Sequence, residues 1–90
     1  MKLDDKVALV TGSARGLGWE MIQAFAQEGA RIVICDLSQS AVDEAAARLG
    51  LPTEKILGVE ADVTSERDVS DLFSHTLEIF KRLDILVNNA

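Results

Sequence analysis

"KVALVTGSARGLG", Lys6 to Gly18, is the segment on which the fold turns. Lys6–Thr11 is a β-favouring apolar run that stops at a glycine, the pattern of a buried strand. Glycines then stand at 12, 16 and 18. From Leu17 onward Met21, Ile22 and Phe25 recur at the spacing of one helix face, and Gly29 is placed to stop that helix at its C′ position. A strand that enters a glycine-rich loop and leaves it as a helix opens a β-α-β unit.

The same alternation continues outward. Arg31–Asp36 ("RIVICD") is a second strand, unbroken in Ile and Val as strands covered on both faces tend to be. Ser38 or Ser40 is suited to cap a second helix with Val42, Ala45, Ala46 and Leu49 inward, ended by Gly50 and Pro52. Ile56–Glu60 is a short third strand. After "ADVTSERD", with Thr64 as N-cap, Val69, Leu72, Phe73, Thr76, Leu77 and Phe80 mark the inner face of a third helix. Leu83–Val87 is the fourth strand. The order β-α-β-α-β-α-β requires parallel strands joined by right-handed crossovers, hence a doubly wound α/β sheet. Such sheets bind ligands at the carboxyl ends of their strands. Gly12–Gly18, Asp36 with Asp62, and Asn88–Asn89 all fall there.

Two phosphate templates do not fit the glycine loop. A Walker loop needs Lys-Ser/Thr after its last glycine, and Gly18 is followed by Trp19 and Glu20. G-x-G-x-x-G, laid on Gly16 and Gly18, wants glycine where Met21 stands. What remains is T-G-x-x-x-G-x-G, whose physics is still that of a dinucleotide turn. Gly12 lets the chain reverse, Gly16 lets backbone approach a pyrophosphate, and Gly18 permits close helix contact. The helix then presents free N–H groups and a positive dipole end to phosphate. A glycine-rich turn with no ligand is the alternative.

Asp36 ends the second strand about twenty residues beyond Gly16, where a carboxylate accepts hydrogen bonds from an adenosine ribose. As a lone strand-end carboxylate it would carry little; beside this loop it carries more. Arg15 points the other way, since a guanidinium in the loop suits a 2′-phosphate. The carboxylate decides, because a like-charge contact near 4 Å costs about 1–4 kcal/mol and an exposed Arg recovers only part of that. NAD is therefore expected in preference to NADP. Asp62 and Val63 have two readings of equal standing: an adenine contact, or the beginning of the third helix's cap.

Composition bounds the rest. Ninety residues, 48% apolar and 27% charged, describe one small globular domain. A net charge of −6 argues against nucleic-acid and anionic membrane partners. No apolar run reaches the roughly eighteen residues of a spanning helix, and the Lys2–Lys6 start lacks the features of a signal peptide. A single cysteine makes a reducing cytoplasm the expected setting. His75 lies off the apolar stripe and reads as a solvated helix position, and Cys35 as a small buried group. Asp4–Asp5 and Asp43–Glu44 have no paired acid/base geometry, and no cluster has metal-ligand spacing. Trp19, on the first helical turn, has no role that the sequence assigns.

"TGSARGLG", Asp36, "ADV" and a fourth strand running into "NNA" together resemble the short-chain dehydrogenases/reductases across the whole chain. The resemblance implies a Rossmann-type sheet of strand order 3-2-1-4 and a nicotinamide-dependent oxidoreductase. It places Gly12, Ser13, Arg15, Gly16, Leu17 and Gly18 around the pyrophosphate and adenosine. It also places Asp36 with Leu37 at the ribose, and Asp62 and Val63 at adenine. Asn88, Asn89 and Ala90 would brace the central sheet near the adenosine. Family catalysis uses a Tyr, a Lys four residues later, a Ser and a further Asn. This sequence has no tyrosine, and Lys2, Lys6, Lys55 and Lys81 match no such position. The expectation is the cofactor-binding half of such an enzyme, without catalytic residues of its own.

In the order 3-2-1-4 the fourth strand is an apolar edge, which is expected either to be covered by further chain or to drive self-association. Two other readings stand beside this one. The chain could be a non-catalytic dinucleotide-binding or interaction module, or another nucleoside-cofactor fold such as a methyltransferase, which "NNA" disfavours.

Overall fold

The computed structural model describes residues 1–89. Four parallel strands, β1 (Val7–Thr11), β2 (Arg31–Asp36), β3 (Ile56–Glu60) and β4 (Ile85–Val87), form one sheet in the order β3-β2-β1-β4. Three helices connect them: α1 (Gly16–Gln27), α2 (Gln39–Leu49) and α3 (Glu66–Phe80), with a 3₁₀ turn at Thr53–Lys55 leading into β3. The registers Thr11↔Cys35 and Asp36↔Glu60 bring the ends of β1, β2 and β3 level on one side of the sheet.

Both faces of β1 and β2 are covered, which explains why these strands read as continuous apolar runs. Side chains alternate to opposite faces along each strand. Ala8, Val10, Ile32 and Ile34 meet Ile22 of α1 and Val42 and Ala45 of α2. Val7, Leu9, Val33 and Cys35 meet Leu72 and Phe80 of α3. Leu9, Ile32 and Ile34 are fully buried, each contributing about 1.5–3 kcal/mol relative to exposure. Among the described residues no helix is long and apolar enough to cross a membrane.

Several boundaries differ from the sequence reading. β1 begins at Val7 and β4 at Ile85, not at Lys6 and Leu83, because Asp84 is occupied by capping the neighbouring strand. Its carboxylate accepts the Val7 N–H at 2.9 Å and its own N–H donates to the Val7 carbonyl at 3.0 Å. The N-cap of α3 is Ser65, whose hydroxyl accepts from the Asp68 N–H, and not Thr64, whose hydroxyl already donates to Asp62. Ser38, of the two serines considered, caps α2. Leu77 is 49% exposed, about 100° around α3 from the buried stripe of Leu72, Thr76 and Phe80.

Candidate dinucleotide site

The carboxyl ends of β1, β2 and β3 enclose a cleft of about 570 Å³. Gly12 and Arg15 form its loop wall, Cys35, Asp36 and Leu37 come from the end of β2, and Ala61–Thr64 from the segment after β3. Asn89, just past β4, closes the remaining side. Thus Gly12, Arg15, Asp36, Leu37, Asp62, Val63 and Asn89, each expected from sequence, share one cavity. Leu17 is 60% exposed on the first turn of α1, outside the cleft wall. Asn88 faces the neighbouring apolar groove beside Leu86, and Ala90 lies outside the described residues.

The loop's shape follows from its glycines. Gly12 (φ +64°) and Gly16 (φ +62°) occupy the left-handed region, where a side chain is strained. A Cβ on Gly16 would meet nothing within 4 Å, so this backbone is open to a ligand from outside. Gly18 is the reverse. A Cβ there would run into the Gly12 carbonyl oxygen, lie 2.8 Å from Asn89 Nδ2 and come within 2.9 Å of Ser13 Cα. Gly18 therefore permits close contact of α1 with the loop itself and with the end of β4. The N-cap of α1, Arg15, makes no side-chain cap bond, so its side chain does not occupy the first N–H groups of the helix.

The Asp36 carboxylate is held by the chain. Asp36 Oδ2 accepts the Ala14 N–H at 3.0 Å, and Oδ1 accepts the Leu37 N–H at 2.8 Å. Each oxygen keeps a second lone pair. Asp62 forms a turn ahead of α3, whose N-cap is Ser65, and lines the cleft. Its Oδ1 accepts the Thr64 N–H and hydroxyl at 2.9 and 2.6 Å. The Thr64 hydroxyl, then its backbone N–H, hold the Asp62 carboxyl below its ordinary range. Burial, with Asp36 and Asp68 nearby, pushes the Cys35 thiol up to about 11, so it stays protonated and unreactive near neutrality.

The structure gives Ser13 a different place from the one expected and adds Asp68, which the sequence did not indicate. Ser13 is fully buried, and its hydroxyl accepts the Cys35 N–H at 3.1 Å instead of facing the cleft. Asp68 reaches back to accept the Asp62 N–H at 2.9 Å. The Asn89 N–H donates to the Thr11 hydroxyl at 2.9 Å, fixing the end of β4 to that of β1. Trp19 packs against the α1–α2 core, with the Arg48 guanidinium 4.6 Å from its ring centroid. Its position, away from the cleft, was not encoded in any local pattern. His75 is exposed on α3, and among the described residues no group could hold a metal ion.

The family model described as short chain dehydrogenase matches residues 6–90. Galactitol 2-dehydrogenase of Agrobacterium fabrum is 43% identical over the whole chain, which corresponds to 34% of that protein. Sorbitol dehydrogenase of Cereibacter sphaeroides is 39% identical with the same coverage. A 3-ketoacyl-(acyl-carrier-protein) reductase from Brucella melitensis, solved in complex with NADH, superposes with a TM-score of 0.90 at 40% identity over 98% of this chain and 35% of that one. A short chain dehydrogenase from Bacillus anthracis gives 0.93 at 36% identity, over 98% of this chain and 35% of its own. The chain spans about a third of the length of the relatives it matches. With the strand order, the glycine loop and the cleft in agreement, the chain belongs to the short-chain dehydrogenase family.

Proposed function

We propose that these ninety residues are the cofactor-binding portion of an NAD(H)-dependent oxidoreductase acting on a carbonyl or alcohol. One observation carries the reading. The Asp36 carboxylate lines a cleft that it shares with Gly12 and Arg15 of the glycine loop, and both its oxygens retain acceptor capacity. Asp36 and Leu37 would hold the ribose, Asp62 and Val63 the adenine. Gly12, Arg15, Gly16, Leu17 and Gly18 would form the pyrophosphate turn, with Ser13 beneath it. Asn88 and Asn89 would brace the sheet beside the adenosine, and Ala90 completes that sequence stretch. The open space over Gly16, where a Cβ would stand, fits a group approaching the backbone closely. When bound, a nicotinamide supplies hydride transfer. The residues of this chain bind and orient its adenosine end.

Preference for NAD over NADP follows from charge. A 2′-phosphate would approach the Asp36 carboxylate, and the exposed Arg15 offsets only part of the repulsion. The NADH in the Brucella relative supports the same choice. Titration of the chain with NADH and NADPH tests the reading. NADH should bind more tightly, and Asp36→Ala should move the affinity ratio toward NADPH by about tenfold. An unchanged ratio removes Asp36 from the selectivity. The free, buried Cys35 supports a cytoplasmic setting, and the exposed β4 edge supports association of the isolated chain.

A further inference from the structure

We propose that Ser13 is a positioning residue for the phosphate-binding turn: its buried hydroxyl, by accepting from the Cys35 N–H, fixes the loop against β2. This deepens the dinucleotide reading and rests on it. The β1–β2 ladder ends at the pair Thr11↔Cys35, because Gly12 turns the chain away at φ +64°. Cys35, the last β2 residue paired with β1, is completely buried. Beyond the ladder, the Ser13 hydroxyl accepts from the Cys35 N–H at 3.1 Å, while the Ser13 N–H donates to the Cys35 carbonyl at 3.0 Å. The pair of bonds extends the sheet through the turn.

The consequence reaches the ligand side through the backbone. Ser13 Cα lies 2.9 Å from where a Cβ on Gly18 would stand, so the first turn of α1 rests directly on it. On the other side, the next residue's N–H is held by Asp36 at 3.0 Å. Without the hydroxyl, the turn keeps the Asp36 tie but loses the bond beneath Gly12. Ser13 is absent from the cleft wall. Its effect should therefore concentrate at the phosphate end and spare the adenosine end, which Asp62 and Val63 hold independently.

Calorimetric titration of the ninety-residue chain with ADP and with adenosine tests this. Ser13→Ala should weaken ADP binding about tenfold while adenosine affinity changes less than about twofold. If that variant is too unstable to titrate, Ser13→Cys keeps the shape and weakens only the acceptor; it should give a smaller loss with the same selectivity for ADP. Faster amide exchange at Cys35 and Ala14 should accompany the loss. Unchanged ADP affinity in these variants, or equal losses for ADP and adenosine, overturns the positioning role. A parent chain that binds neither ligand overturns the dinucleotide reading itself.

Discussion

At the scale of single residues, the two glycines at 16 and 18 make opposite demands on a substituent. A methyl on Gly16 enters open space but forces a side chain onto φ +62°, a strain of about 1–2 kcal/mol. A methyl on Gly18 meets backbone of Gly12 and Ser13 and the Asn89 amide, none of which is the free end of a flexible chain. Overpacking of this kind costs about 1–3 kcal/mol. Gly16→Ala should therefore fold yet lose NADH affinity by about tenfold or more, since the added carbon occupies the ligand's approach. Gly18→Ala should lose stability and affinity together. Unfolding followed by the emission of Trp19, in a chain with one Trp and no Tyr, measures stability without interference. A Gly16→Ala variant with undiminished NADH binding would show that the pyrophosphate does not cross this backbone. The glycine spacing made this part of the site legible, because the conformations it permits are local. The inward turn of Ser13 was not legible. A hydroxyl in a glycine loop reads equally as a phosphate donor, and its direction depends on how far Gly12 has rotated the chain.

At the scale of elements, the sheet's youngest contact in sequence is its most electrostatic. β4 joins β1 over three residue pairs, and Asp84 anchors the start of that pairing. Arg82, bonded to it twice at 2.8 Å, and then the Val7 N–H hold the Asp84 carboxyl down at about 2, against an ordinary 3.8. A carboxyl depressed in the folded state contributes stability above its unfolded pKa. That contribution is lost as pH falls through the folded value. The stability difference between the parent chain and Asp84→Asn should thus be present at pH 6, shrink below about pH 4, and vanish near pH 2. Urea unfolding at these pH values checks it, and a difference independent of pH would assign the anchoring to shape instead of charge. β1, α1, β2 and α2 were legible because apolar runs, glycines and caps punctuate them. The start of β4 was not: Leu83 belongs to the apolar core near α3 while lying outside the ladder, so hydrophobicity alone extends the strand too far. The same ambiguity placed the α3 cap at Thr64, since either hydroxyl satisfies the local rule and the Asp62 turn decides between them.

At the scale of the whole molecule, β4 is a parallel edge with one neighbour. Leu86 on it is 51% exposed, beside an apolar groove formed with Val63, Val69, Leu72 and Phe73. α1 and α2 share one face of the sheet, whereas α3 alone serves the other, and the uncovered ground lies between α3 and β4. Leu77 and Ile79, each 49% exposed, add to the apolar surface of α3. An edge of unpaired backbone groups beside apolar side chains favours pairing with another chain. The ninety-residue chain on its own should therefore associate reversibly at micromolar concentrations. Leu86→Lys should shift it toward monomer by placing a charge on the pairing edge, whereas Leu37→Lys, at a more exposed leucine lining the cleft, should not. Sedimentation velocity across a concentration series distinguishes the two variants. A parent chain that sediments as a single monomer and unfolds cooperatively at every concentration would mean that α3 and the short β4 protect the sheet sufficiently by themselves.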